Sequence, residues 1–256
     1  MDKLPTLFIA HSAPTLALDP VAGKDFRQFG ESLPRPDAIL VFSAHWEGNP
    51  LAIGETVQHD SLIYDFGGFQ PELYELQYPA PGAPQLAEKI KALLGDEYSL
   101  TQTERGLDHG VWVPFIHLWP NADIPVLQMS VPYKMSEQEL FVLGQKLDTL
   151  RNQNVLIIAT GGITHNLRTV TSRPIGPPPD WASEFDSWVA NTLTNHEHEK
   201  LIHWQSQAPH PKMNHPTPEH FRPLLISAGA AANDSVSFPI TGFEWGSMSR
   251  RCVQFG

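Results

Sequence analysis

The sequence predicts an α/β fold: one domain over residues 1–256, with a central, largely parallel or mixed β-sheet flanked by helices on both faces. Three observations carry this. The runs Thr6–Ala10, Ala38–Ala44, Pro125–Ser130 and Val155–Ala159 are almost unbroken apolar segments, as expected of strands covered on both sides. Segments of helical periodicity lie between them, and strands alternating with helices favour a parallel sheet. The chain has 256 residues, 41% of them hydrophobic, which is enough for one sizeable core.

The elements follow in order. Thr6–Ala10 is the first buried strand; Pro5 and Asp2 speak against reading it as a leader segment. Ala38–Ala44 is the second, with Leu51–Ile53 a weaker candidate after it. Over Gln85 to Leu94, Leu86, Ile90, Leu93 and Leu94 share one side, and Gly95 marks the stop. Val111 to Trp119 is apolar throughout. Pro125–Ser130 is a strand, and Ser136 with Glu139 forms a capping box for a helix carrying Leu140, Leu143, Leu147 and Leu150. Val155–Ala159 follows. Arg173 to Pro179 is proline-rich and reads as a surface loop. Asp180 is placed to cap a helix bearing Trp181, Phe185, Trp188, Val189 and Leu193. A stiff segment, Asn214 to Phe221, leads into a helix that Pro223 delays. Val236–Pro239 and Arg251–Gln254 are weak strand candidates.

Composition excludes several functions. Lys plus Arg is 17 against 28 Asp plus Glu, a net charge of −11, which offers phosphate backbones no electrostatic footprint, so no nucleic-acid partner is expected. The single cysteine, Cys252, builds neither an internal disulfide nor a cysteine-rich zinc site. No apolar run approaches the roughly 20 residues of a membrane span, and a cytoplasmic protein without membrane contact is expected. Asp65-Phe66-Gly67 matches a kinase string but lacks every companion motif.

The 12 histidines are informative by position. Thr6–Ala10 runs into His11, Ala38–Ala44 into His45, and Val155–Ala159 is followed within six residues by His165. Ligands of open α/β sheets bind beyond the carboxyl ends of the strands. Parallel neighbours would therefore gather three imidazoles, a donor type suited to zinc and ferrous iron. His220 is a fourth candidate on its stiff segment, with His215 its competitor; an exposed loop position is the simpler reading of His215. His109, after Asp108, is either an acid–base group or a helix-start residue bonded to Asp108. His117 reads as core, His59 and His210 as loop residues, and His196, His198 and His203 as surface residues.

Taken together, FIAHSAPT, LPRPDAILVFSAHWEG, YDFGGFQPELYELQYPAPGAP, LDHGVWVPF, ADIPVLQMS, ATGGITHNLRTV, HPTPEHFRPLL and GFEWGSMSRRCVQFG resemble the class III extradiol ring-cleavage dioxygenases of the LigB superfamily. Within it, the segments are most similar to the small 4,5-DOPA dioxygenase extradiol-like proteins, and they cover essentially the whole chain in order. The resemblance implies metal ligands at His11, His45 and His220, with His165 beside the metal as acid–base residue or further ligand. It implies a catalytic His109 near the substrate oxygens. It further implies Fe(II) for activity, with Zn(II) able to fill the same site, and a small-molecule catechol such as DOPA, opened with O2 to a semialdehyde acid. Tyr64 departs from the family, which has histidine before the DFGGF segment; a substrate contact there is not carried over. Two rival readings are a zinc-dependent hydrolase, which would consume no oxygen, and a non-enzymatic LigB-like binding protein, which would not need four retained histidines.

Overall fold

A computed structural model describes residues 3–171 and 176–256. Its strands are β1 (Thr6–Ala10), β2 (Ala38–Gly48), β3 (Leu51–Ile53), β4 (Leu100–Gln102), β5 (Val126–Pro132), β6 (Val155–Gly161), β7 (Val236–Ser237), β8 (Phe243–Glu244), β9 (Met248–Ser249) and β10 (Val253–Phe255). The helices are α1 (Pro20–Ser32), α2 (Pro84–Leu94), α3 (His109–Leu118), α4 (Glu137–Leu147), α5 (Asp180–Thr194), the short α6 (His198–Ile202), α7 (Trp204–Gln207) and α8 (Pro211–Asn214), and α9 (Arg222–Ala231).

Eight strands form one sheet in the order β4-β3-β5-β2-β6-β1-β10-β7, and β8 pairs with β9 separately. The centre, β5-β2-β6-β1, is parallel. Antiparallel pairing begins outside it, β3 on β5 and β10 on β1. The predicted mixed α/β sheet is therefore present, and its four strongest strands are the four that form the parallel centre.

Burial explains why those runs are unbroken. Leu7, Ile9, Ile39, Val41, Leu156 and Ile158 face a core shared with α1 and α3, which supply Phe26, Phe29, Trp112 and Phe115. Phe8, Leu40, Phe42, Ile157 and Ala159 face the opposite core, with residues of α2, α4, α5 and α9. Each strand thus alternates between two apolar layers instead of between core and water. Helix α3 is buried all round, which accounts for its lack of a polar face.

Local signals act largely as expected. Glu139 N–H donates to Ser136 Oγ (3.3 Å) and Ser136 N–H donates to Glu139 Oε2 (2.7 Å), completing the capping box of α4. Asp180 is not the cap of α5 but its first helical residue; Pro179, extended at ψ 148°, occupies the cap. There the Asp180 charge complements the helix N-terminus without capping it. Helix α9 begins at Arg222 with Pro223 at its start, where proline's missing N–H costs nothing. Helix α1, not anticipated, is capped by the Asp19 carboxylate, which accepts from Val21 N–H (2.8 Å) and Ala22 N–H (3.0 Å). Of the expected loop Arg173–Pro179, residues 173–175 lie outside the described residues, and 176–179 run irregularly into α5. Among the described residues, no helix is long and apolar enough to cross a membrane.

Candidate active site

The carboxyl ends of β1, β6 and β2 lie side by side, with Ala10 opposite Gly161 and Ser43 opposite Thr160. His11 leaves β1 with its N–H donating to the Gly161 carbonyl (3.2 Å), and Ser12 then turns the chain away at φ +62°. His45 lies in β2 where its register against β5 shifts between Phe42 and Glu47. Such a bulge turns a side chain out of the ladder. β6, between them, ends in glycine. A Cβ on Gly161 would stand 2.1 Å from the His220 carbonyl oxygen, and the next N–H, of Gly162, donates to that oxygen at 2.9 Å. The bare strand end thus lets the His220 segment lie across it.

Three imidazoles converge there. His45 Nε2 is 3.0 Å from His11 Nε2 and 3.3 Å from His220 Nε2, and the three residues form a donor group within 4.8 Å. Nitrogens held about 2.1 Å from one ion in octahedral or tetrahedral geometry lie about 3.0–3.4 Å apart. The observed spacings match that range.

Hydrogen bonds fix the rings. His220 Nδ1–H donates to Glu219 Oε1 (3.0 Å), which leaves Nε2 with a free lone pair. His109 Nδ1 donates to Asp65 Oδ1 (2.8 Å), and His45 Nδ1 lies 3.4 Å from Asp65 Oδ2. Carboxylates behind imidazoles in this way orient a metal ligand and raise its basicity. His11 Nδ1 is buried and has no hydrogen-bond partner among the described residues. The other expectation for His109, a bond to Asp108, is not met. Asp108 instead accepts from Ser43 Oγ (2.7 Å) and Gln128 Nε2 (2.5 Å).

The electrostatics keep the donors neutral. Burial, followed by the neighbouring imidazoles, drives the pKa values of His11 and His220 well below the usual 6.5. Burial and His109 lower His45 to about 3, and burial lowers His165 to about 4. Neutral imidazole is the ligating form. For Asp65, burial acts upward but is outweighed by the hydrogen bonds and charge of His109, so its carboxyl stays below the ordinary value. Neutral, buried lone pairs aimed at one another repel unless a cation or proton lies between them. The donor set and the spacing both fit a divalent ion bound by nitrogen.

All three strand-end histidines line one cavity, and two of them bring a nitrogen to the converging trio. His11 and His45 supply donors, and the third converging nitrogen belongs to His220. His165 lies one ring farther out, stacked on His220 at 3.4 Å between centroids and 8° between planes. It forms a separate donor group with Glu219 and His220. All five histidines line a cavity of about 520 Å³, within the roughly 300–1,000 Å³ of small-molecule sites.

Elsewhere the reading of His215 as exposed changes, and His59, a loop residue as read, proves to be buried. His215 is 4% exposed, its Nε2–H donating to the Ile163 carbonyl (2.8 Å). His59 is 1% exposed and bonded to the Val126 carbonyl. His59 thereby fastens its loop to β5, and His215 fastens its own to the segment that follows β6. His117 is core, as expected, donating to the Leu16 carbonyl. Residue-by-residue reading gave no role to Asp65 and Glu219, whose only signal was their place beside His109's partner loop and His220. Tyr64 spends its hydroxyl on the Leu76 carbonyl (2.6 Å) and braces Phe66 and Trp112.

A family model described as the catalytic LigB subunit of aromatic ring-opening dioxygenase matches residues 7–255. The chain is 41% identical over 239 residues to a 4,5-DOPA dioxygenase extradiol of Beta vulgaris, covering 90% of this chain and 88% of that protein. It is 37% identical over 270 residues to the protein of that name from Escherichia coli K12, covering 99% and 95%. The crystal structure of an uncharacterized Escherichia coli K12 protein superposes with a TM-score of 0.84 at 33% identity, covering 99% of this chain and all of that one.

Proposed function

The chain belongs to the LigB family of aromatic ring-opening dioxygenases, and from that premise we propose that it opens the ring of a catechol, the class to which DOPA belongs, with O2 to give a semialdehyde acid. The observation that carries the reading is the trio of neutral Nε2 atoms, 3.0 and 3.3 Å apart, at the floor of a small-molecule cavity. His11, His45 and His220 would hold ferrous iron and leave the cavity side of the ion open. Bound iron supplies the electron transfer between catecholate and dioxygen; zinc fits the same nitrogens but has no redox chemistry.

The remaining work belongs to this chain's side chains. His165, neutral at pH 7 because burial lowers it to about 4, accepts a proton from a catechol hydroxyl and returns it later in the cycle. His109 is steadied by Asp65 through Nδ1, and its Nε2 is the group that exchanges a hydrogen bond with a substrate oxygen carrying developing charge. Glu219 holds the His220 ring, and with it the floor of the site.

Anaerobic reconstitution with Fe(II), followed by oxygen uptake against a catechol panel, tests this. Uptake with formation of a coloured semialdehyde is the expected result, and zinc-loaded protein should give none. Iron-replete protein that consumes no oxygen with any catechol would overturn the proposal.

A further inference from the structure

His45 is held at its backbone as well as at its ring. Between Phe42 and Glu47 the register of β2 against β5 shifts, and the pairing of β2 with β6 ends at Ser43. Side chains take over at His45. Its N–H donates to Ser43 Oγ (3.2 Å), and its carbonyl accepts from the Arg105 guanidinium (3.2 Å). Both of these partners meet Asp108. Ser43 Oγ–H donates to Asp108 Oδ1 (2.7 Å), and the Arg105 guanidinium lies 3.5 Å from Asp108 Oδ2. Gln128 of β5 donates to that Oδ2 (2.5 Å) and accepts from Asp108 N–H (3.4 Å). Ser43, Asp108 and Gln128 are fully buried.

Asp108 is diverted from its local task to do this. It stands at the N-cap of α3, where a carboxylate ordinarily accepts from the N–H groups of the first turn, yet its side chain makes no capping bond. The N–H of His109, the first helical residue, donates to Asp65 Oδ1 instead (3.2 Å). The helix start also touches the bulge directly. A Cβ on Gly110 would stand 2.5 Å from Ser43 Oγ and 3.0 Å from His45 Cδ2. The rings of His45 and His109 lie 3.9 Å apart between centroids. Apolar residues of similar volume are often at least as stabilising as a buried ionic set. What the polar set adds is a fixed acceptor for the His45 N–H and a fixed donor for its carbonyl, at a bulge that disrupts the ladder.

We propose that Asp108, Ser43, Gln128 and Arg105 are positioning residues for the reaction. They set the backbone of His45 so that its Nε2 meets those of His11 and His220. Because Asp108 directly precedes His109, they also lock the metal ligand and the substrate-facing imidazole into one unit. The proposal rests on the metal centre and the catechol reading above. Asp65 orients the two rings from their Nδ1 atoms, whereas the Asp108 set fixes where those rings stand. Groups behind metal ligands commonly change metal affinity by about 10–100-fold when they are lost, and a site displaced by a fraction of an ångström loses function.

The test uses Ser43→Ala, Asp108→Asn, Arg105→Met and Arg105→Lys in the full chain. Ser43→Ala removes the hydroxyl between His45 N–H and Asp108. Arg105→Met keeps an apolar stem over the Trp46 ring, 5.1 Å from the guanidinium, and loses the donor to the His45 carbonyl; Arg105→Lys keeps a cation there. Three quantities are measured: Zn(II) affinity by competition with a chromogenic chelator, the visible absorption of the Co(II)-loaded protein, and the unfolding midpoint without metal. Ser43→Ala and Arg105→Met are expected to weaken Zn(II) binding by about 10–100-fold and to alter the Co(II) spectrum, and Arg105→Lys to restore most of both. Ser43→Ala and Asp108→Asn should be non-additive, since they break one chain of bonds; full additivity would remove Asp108 from the set. A lower metal-free midpoint with parental affinity and spectrum would mark a purely structural role and overturn the proposal. Should Ser43→Ala fail to fold, the Arg105 pair decides, because that side chain is 26% exposed. Weakened Zn(II) binding in a chain whose iron form cleaves no catechol would sink ring cleavage and leave the positioning set standing.

Discussion

His165 stacks flat on His220 without joining the three converging nitrogens, and that geometry separates its two expected roles. As an acid–base group it can be lost without losing the metal. Replacement by Gln should then lower kcat by about 10²–10⁴-fold while iron content, measured by elemental analysis, stays near that of the parent. Lost iron would make His165 a ligand; an unchanged kcat would remove it from the chemistry. At this scale the sequence singled out the histidines that line the cavity and left some of their surroundings unread. His11 and His45 were legible because each directly follows an apolar strand. His215 was not, because nothing local separates an exposed loop imidazole from one buried against Phe185 and Trp204 and bonded to a distant carbonyl. Asp65 was passed over for a related reason: it meets His109 and His45 through a loop whose path is set by its packing, not by its own composition.

Among the elements, the bare end of β6 governs the site. Gly161 accepts from His11 N–H through its carbonyl and lies under the His220 backbone, so one position registers two of the three donors. Gly161→Ala would press its methyl group against the His220 carbonyl, 2.1 Å from the ideal Cβ position. Displacing the His220 segment should weaken metal affinity by about 10–100-fold, as changes behind metal ligands commonly do. Competition against a chromogenic chelator measures it, and an unchanged affinity would show that the segment is positioned by other contacts. The four central strands were legible because burial on both faces writes itself into composition. β4 and the β8–β9 pair were not, because strands of two or three residues are defined by their pairing partners. Helix α1 escaped notice although Asp19 caps it, since its buried face is only Gly23, Phe26, Phe29 and Gly30.

For the whole molecule, the site ties residues 11, 45 and 220 together across the fold, so an ion held there binds the native state and not the unfolded chain. At free metal about 100-fold above Kd, such linkage adds about 2.7 kcal/mol, or about 5–10 °C in the unfolding midpoint for a chain of this size. Scanning calorimetry with Fe(II) under anaerobic conditions, or with Zn(II), should show that shift, and a chelator should reverse it. His220→Ala should abolish it, and a midpoint indifferent to metal in the parent protein would argue against the centre. Net charge acts at this scale as well: at −11 the chain lacks the positive footprint that phosphate backbones require. By itself the sequence determined the α/β class, the two-sided burial of the central strands and the supply of imidazoles at their ends, since these depend on periodicity and local chain order. The tertiary structure alone decided which nitrogens converge, which carboxylates stand behind them and which wall closes the cavity. Those depend on contacts between residues far apart in sequence, placed by sheet order, a bulge in β2 and a glycine where two segments touch.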